Sequence, residues 1–208
     1  MLLVVTIAAA LTAGLAVRAH ASPSSPSSDG HSAAIARMVQ LAESKIGTVA
    51  LGRNSDKGGF IDTQVEAPFG FRGKPWCAMF VSWAARTAGV RFYSAKAVGR
   101  GVEPTMLYGA SVAGIYDWAR NAGLARGPRY LARAGDLVIF DSPTTPSRYD
   151  HIGIVVEPAS GGVIHVVAGD NTDPQRPHGH RGVFETTDHI ASKVLVGYVA
   201  LSAAHDVG

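Results

Sequence analysis

The stretch HIGIVVE, residues 151–157, gives the clearest structural signal in this chain of 208 residues. β-Branched residues dominate the stretch, and the turn-rich segment 142–150 comes directly before it. A short apolar run bounded by turn residues predicts a buried β-strand. Because the strand begins with a polar ring, His151, we expect that ring at an edge of the sheet.

Three further runs of the same kind predict three more strands. They are DLVIF at residues 136–140, VIHVV at 163–167 and VLVGYVAL at 194–201, and Pro, Gly and Asp turns separate them. The second half of the chain is therefore expected to form a sheet.

The first half of the chain has helical periodicity instead. Apolar residues recur at helical spacing over residues 35–46, and Gly47 ends the run. The same spacing over 77–88, before Gly89, predicts a second helix, and a third is predicted over 106–121. Helices followed by strands predict an α+β domain in which N-terminal helices pack on a C-terminal antiparallel β-sheet.

Between the first two helices, residues 47–75 are rich in Gly, Asn, Asp and Pro. This composition predicts a long irregular segment, and such segments often carry function in a compact domain. Together with the loops 91–104 and 142–150, we expect it to form the cleft of the protein.

The ends of the chain differ in composition from its middle. Residues 1–21 have the apolar length and small-residue end of a secretory signal peptide, so export from the cell is expected. No basic residue stands directly after Met1, and Arg18 lies near the end of the segment. These two features leave an uncleaved membrane anchor as the alternative. A flexible Ser/Pro-rich spacer is predicted at 22–31, a folded domain at 32–202 and a tail at 203–208, with no stable membrane insertion once the signal is cleaved.

The charge of the chain is weakly positive. The formal net charge is +3 at pH 7, and removing residues 1–21 takes away one basic residue and leaves +2. Without a run of Lys or Arg, this surplus argues against nucleic acid as a partner, although it suits an anionic cell wall. We expect no cofactor, and the sequence does not indicate an oligomeric state.

The single cysteine, Cys77, cannot form an internal disulfide. It lies in the first turn of the second predicted helix, where free backbone N–H groups and the helix dipole stabilise a thiolate. This position suits a nucleophile. Because Cys77 also begins the apolar face of that helix, a buried and inert core thiol is the alternative.

A catalytic cysteine needs an imidazole within reach and a third group that orients the ring. His151 suits the role of general base at the edge of the sheet, and the alternative is an exposed histidine bonded to its turn. His165 alternates with valines along a strand, which favours a packed structural histidine. Asp170 and Asn171 follow that strand and can each accept from an imidazole N–H, as can residues in an ordinary turn.

Four stretches of this sequence together resemble the CHAP family, the cysteine, histidine-dependent amidohydrolases/peptidases. They are PWCAMFVSWAARTAGV from Pro75, AGDLVIFD from Ala134, DHIGIVVE from Asp150 and VVAGDNT from Val166. The resemblance implies a papain-like α+β fold and hydrolysis of an amide or peptide bond of peptidoglycan, with Cys77 as nucleophile and His151 as base.

The resemblance also bears on the remaining site residues. Family members often have Glu-Gly-Asn at the third position, whereas here Ala168 stands in the place of the Glu and Asp170 is inserted before Asn171. We therefore favour Asp170 only slightly over Asn171 as the orienting group. Trp76 and Tyr149 are the candidate substrate-binding residues.

Other functions remain compatible with the sequence. They are an NlpC/P60-type endopeptidase, a non-catalytic cell-wall-binding domain, and a zinc amidase that uses His178 and His180. Residues 54–58 resemble a calcium loop, although they lack its alternating oxygen ligands and its closing Glu. The prediction for metals is that the site contains none.

Overall fold

The computed structural model describes residues 28–52, 54–90, 109–143, 149–175 and 179–204. The α-helices are α1 (Ser28–Glu43), α2 (Cys77–Ala88) and α3 (Val112–Asn121). Shorter helical turns are a π-helix (Ile61–Glu66) and two 3-10 helices (Ala67–Phe69 and Leu201–Ala203). The strands are β1 (Ala125–Arg126), β2 (Leu137–Phe140), β3 (His151–Val155), β4 (Val163–Thr172), β5 (Arg181–His189) and β6 (Leu195–Val199).

The strands form one antiparallel sheet in the order β1-β6-β2-β3-β4-β5. Helix α2 packs on β3 and β4, and α1 packs on α2. One apolar core lies between the helices and the sheet, and a second, smaller cluster covers the opposite face of the sheet. The architecture is therefore the papain-like α+β arrangement that the sequence predicted.

Helix α2 is the central helix of the fold, and most of its residues are buried. Gly89 ends it with a φ of 86°, in the left-handed region where glycine is the least strained residue. Its N–H groups at the amino end have no partner within the helix itself, as in any α-helix. The sequence predicted both limits of this helix.

Strand β4 continues beyond the predicted stretch 163–167 and ends at Thr172. The register of its pairing with β5 shifts between Ala168 and Asn171, and Asp170 has a φ of 53°. This irregularity is a β-bulge, which redirects a side chain within a strand. Asp170 and Asn171, which were predicted to follow the strand, therefore belong to the strand itself.

Gly169, in the bulge, allows β4 to approach the amino end of α2. A Cβ atom at this position would lie 2.5 Å from the ring of Trp76 and 2.6 Å from Cβ of Phe80. No side chain fits in that space, so glycine is required for the close contact of the two elements.

Several boundaries differ from the prediction. Helix α1 begins at Ser28, inside the predicted spacer 22–31, and His31 Nε2 lies 2.9 Å from the carbonyl oxygen of Leu201. This contact joins the first turn of α1 to the C-terminal 3-10 helix of the domain. Helix α1 also ends before Ile46, which is 43% exposed and not part of the buried face.

The third helix starts at Val112, since the hydroxyl of Ser111 caps it by accepting from the Gly114 N–H. The part predicted over 106–108 lies outside the described residues. The segment 47–75 is less irregular than predicted, because its π-helix and 3-10 turn bury apolar side chains in the core.

The predicted signal peptide at 1–21 and most of the spacer lie outside the described residues. Within the part of the chain that the structure describes, no helix has the length and apolar character needed to cross a membrane.

Candidate active site

A cleft of about 850 Å³ opens at one edge of the sheet, where β2 and β4 end and β3 and β5 begin. The predicted segments 47–75 and 142–150 both contribute to its wall, whereas 91–104 lies outside the described residues. A wall that the sequence did not predict comes from β4, β5 and their connection. Residues lining the cleft include Asn54, Pro75, Phe140, Asp150, His151, Asp170, Asn171, Thr172, His180 and Arg181.

Cys77 is the first residue of α2 and lies directly behind this cleft. Its thiol is within hydrogen-bonding reach of the backbone N–H groups of Cys77, Ala78 and Ile152. Ile152 follows His151 in β3, so the helix start and the strand start are in contact. Cys77 is only 4% exposed, however, and is not among the residues that line the cleft.

The surroundings of Cys77 favour its neutral form. The pKa of the thiol is raised to about 12, mainly by burial and also by the nearby carboxylate of Asp170, while the three N–H groups act in the opposite direction. The sulfur is thus buried, yet it lies among polar groups and a carboxylate rather than in purely apolar packing.

His151 lines the cleft at the start of β3, at the sheet edge where the sequence placed it. Burial lowers the pKa of its imidazole to about 4, the positive charge of Arg181 lowers it as well, and Asp150 acts in the opposite direction. At neutral pH the ring is therefore uncharged and can accept a proton. Its Nε2 is buried and has no hydrogen-bond partner among the described residues.

Asp170 is buried between the cleft and the amino end of α2. Its Oδ2 accepts from the backbone N–H of Trp76 at 3.2 Å, and Oδ1 lies 3.7 Å from Nη1 of Arg181. Burial raises the pKa of this carboxyl to about 6, which Arg181 and the Trp76 N–H oppose and the nearby Glu66 reinforces. The described contacts of Asp170 hold the start of α2 rather than the imidazole.

Asn171 lines the cleft beside Asp170, but its side chain is turned to its own strand. Its Oδ1 accepts from the backbone N–H of Thr172 at 2.9 Å. Within the described parts of the chain, no hydrogen bond joins His151 to Asp170 or to Asn171. Which of the two orients the imidazole stays a prediction.

The two aromatic candidates lie in different surroundings. The ring of Trp76 has 0% exposure and packs edge-on against Phe80, which does not favour a contact with substrate, and a substrate contact by Trp76 stays a prediction. Tyr149 is half-buried next to Asp150, with its ring edge-on to Tyr116 at 5.1 Å. A substrate contact by Tyr149 stays a prediction.

Two charged residues near the site were not found from the sequence. Arg181, the first residue of β5, donates from Nη1 to the carbonyl oxygen of Asp170 at 2.6 Å. Glu66 is fully buried and accepts from the backbone N–H groups of Gly73 and Lys74 at 2.8 and 2.7 Å. Both act through contacts between distant segments, which leave no local pattern in the sequence.

Most of the side chains considered as metal ligands contact other protein groups or fall outside the described residues. Asp56 and Asp62, in and after the loop 54–58, each accept backbone N–H groups at both carboxylate oxygens. His165 pairs with Glu185 at 3.2 Å, in agreement with a structural role, and His178 lies outside the described residues. Among the residues that the structure describes, no three His, Cys, Asp or Glu side chains are grouped to bind a metal.

A central helix that begins with a cysteine packs on an antiparallel strand that begins with a histidine, and this arrangement is that of a papain-like cysteine–histidine domain. In agreement with this, residues 69–170 match the CHAP domain. The chain therefore contains a CHAP domain, a type of domain found in peptidoglycan hydrolases of the amidase and peptidase type that act on the cell wall. No curated protein matches the chain.

Proposed function

We propose that this protein is a secreted enzyme that hydrolyses an amide bond of peptidoglycan through a thioester on Cys77. The observation that carries the proposal is the contact between the start of α2 and the start of β3. It brings the thiol of Cys77 to the residue next to His151, directly behind a cleft. The support for secretion is the composition of residues 1–21.

The pKa shifts favour a neutral thiol and a neutral imidazole before the reaction. The position of Cys77 at a helix start suggested instead a thiol that is already ionised before the reaction. We therefore infer that His151 removes the thiol proton as the sulfur attacks the amide carbonyl carbon. The two charges then appear together and stabilise each other.

The remaining steps use the same two residues. The carbonyl oxygen takes up the electron pair of its π-bond, and the backbone N–H of Cys77 is a suitable donor to the resulting oxyanion. His151 then gives its proton to the leaving amine as the C–N bond breaks and the thioester remains. Water attacks the thioester carbonyl carbon while His151 accepts a proton from it. The C–S bond then breaks, the carboxylic acid product leaves, and the imidazolium returns the proton to the sulfur.

A second candidate is a non-catalytic cell-wall-binding domain. The low exposure of Cys77 and the raised pKa of its thiol favour it, since both describe an unreactive cysteine. The polar groups around the sulfur and the unpartnered, buried Nε2 of His151 favour the enzyme instead.

Digestion of purified peptidoglycan, with mass spectrometry of the soluble products, tests the proposal. New amine termini are expected with the wild type and absent with Cys77→Ala and His151→Ala. The matched control is His165→Ala, because this histidine lies on the same sheet but pairs with Glu185 outside the cleft. The position of the new terminus distinguishes an amidase from an endopeptidase, and wall binding without new termini supports the second candidate.

A further inference from the structure

Arg181 presents a cation to the cleft from the start of β5. Its side chain is 54% exposed, whereas the side chain of its partner Asp170 is 7% exposed. The guanidinium therefore covers a buried carboxylate and remains open on its other side. β4 and β5 are paired here, Thr172 opposite Arg181, so the two strands fix the position of the backbone that carries it.

The hydrogen-bonding capacity of this guanidinium is only partly used. In the described residues, its partners are the carbonyl oxygen of Asp170 at 2.6 Å and, at the longer distance of 3.7 Å, Oδ1 of the same residue, and both contacts involve Nη1. Within the described parts of the chain, the N–H groups of Nη2 and Nε form no hydrogen bond. Two parallel N–H groups on one edge of a guanidinium match the two oxygens of a carboxylate.

The charge of Arg181 also reaches the candidate base. It lowers the pKa of His151, so it opposes the protonation that the proposed mechanism requires. Asp150, which lines the same cleft, acts on His151 in the opposite direction. An anion bound to Arg181 would offset the repulsion and make proton transfer from Cys77 to His151 easier.

We propose that Arg181 binds a carboxylate of the substrate next to the scissile amide, so that the preferred substrates are peptide stems with a free carboxylate at this position. The inference rests on the proposed function and names its substrate class. A peptide stem offers this chemistry from two sources, the α-carboxyl group of a γ-linked glutamyl residue and the C-terminal carboxyl group.

Three synthetic stem peptides distinguish the two sources. The first has both carboxyl groups free, the second has a carboxamide at the γ-linked glutamyl residue only, and the third has a carboxamide at the C-terminus only. For the wild type, amidating the group that Arg181 binds should lower kcat/KM about tenfold or more. Amidating the other group should change kcat/KM little.

Variants of Arg181 test the residue itself. Arg181→Gln should remove the preference between free and amidated peptides, and Arg181→Lys should retain part of it, because lysine keeps the charge without the planar fork. Arg120→Gln is the matched control, since Arg120 pairs with Asp117 on the exposed face of α3 and should leave the preference unchanged. Thermal unfolding of each variant checks that it is folded.

Two results would overturn the inference. One is a wild type that cleaves all three peptides equally, and the other is an Arg181→Gln variant that is slower on all three by the same factor. The latter result shows that Arg181 acts only by holding Asp170. If the wild type cleaves none of the three peptides, calorimetric binding of the peptides to wild type and Arg181→Gln decides the carboxylate site. Only if peptidoglycan is not cleaved either does the proposed function itself fail.

Discussion

The backbone N–H of Trp76 donates to Oδ2 of Asp170 at 3.2 Å, across 94 residues of the chain. Trp76 is the residue before α2, so this bond attaches the start of the helix that carries Cys77 to the bulge of β4. The buried carboxylate that makes the bond also raises the pKa of the Cys77 thiol. Asp170 thus positions Cys77 and opposes its ionisation at the same time.

We expect Asp170→Asn to separate these two effects. The amide oxygen can still accept from Trp76, whereas the negative charge beside the sulfur is gone, so the pKa of Cys77 should fall. The rate of alkylation by iodoacetamide, measured against pH, should therefore rise at a lower pH than in the wild type. Asn171→Asp, which adds a charge one residue away, is the control and should not lower that pH.

Asp170→Ala should be more severe because it leaves the Trp76 N–H buried without its acceptor. The expected loss of unfolding free energy is about 1–3 kcal/mol, measured by urea denaturation. Asn171→Ala should cost less, since its Oδ1 bonds only to the neighbouring Thr172 N–H. Equal losses in the two variants would show that the Trp76 contact does not hold the helix start.

Gly169→Ala should displace the start of α2. A methyl group would lie 2.5 Å from the Trp76 ring and 2.6 Å from Cβ of Phe80. Both residues are buried, so the helix or the strand must move. We expect a loss of about 1–3 kcal/mol in unfolding free energy, by denaturation, together with reduced peptidoglycan hydrolysis. Gly127→Ala, at an exposed glycine with open space around it and no left-handed φ, tests whether the activity loss is specific to this contact.

The sequence was sufficient to predict α2 and the strand starting at His151, because each has a regular apolar pattern and a clear boundary residue. It was not sufficient for β5. This strand, Arg181–His189, has exposed polar residues at alternate positions near its end and no continuous apolar run. Its pairing with β4 stabilises it, and such pairing is not visible in a local pattern.

In the candidate site too, residues at the ends of regular elements were predictable, and residues that act through distant contacts were not. Cys77 and His151 stand at the first positions of regular elements, where chemistry can be inferred from position alone. Asp170 was placed after the strand, since Gly-Asp-Asn is typical of turns. In the structure the strand continues through a bulge to Thr172. Glu66 and Arg181 contribute through partners elsewhere in the chain, so only the three-dimensional arrangement identifies them.

Glu66→Gln should loosen the loop that leads to Cys77. The carboxylate accepts from two successive backbone N–H groups, and an amide can accept with only one of its two terminal atoms. We expect a loss of about 1–3 kcal/mol in the free energy of unfolding and a fall in hydrolysis rate. Glu185→Gln is the matched control: it lies at the exposed pair with His165 and should change stability by no more than about 0.5 kcal/mol.

His151 should make the folded protein sensitive to acid. The pKa of its imidazole is about 4 in the folded protein and near the ordinary 6.5 when unfolded, so the unfolded chain binds more protons between these values. Stability from this group is complete above pH 6.5 and is lost as the pH falls towards 4. Between pH 7 and pH 4, the wild type should therefore lose about 2–3 kcal/mol more unfolding free energy than His151→Gln.

The comparison with His151→Gln isolates this contribution because Asp170 is present in both proteins. The raised pKa of Asp170, about 6, acts with the opposite sign: the folded form binds the extra proton, so this group stabilises the fold as the pH falls from 6 towards its ordinary value. Urea denaturation at pH 7, 6, 5 and 4 measures both proteins under identical conditions. If their stabilities decline in parallel, the pKa of His151 is near 6.5 in the folded protein as well, and the neutral imidazole that the proposed mechanism requires as the base is the minor form below pH 6.5.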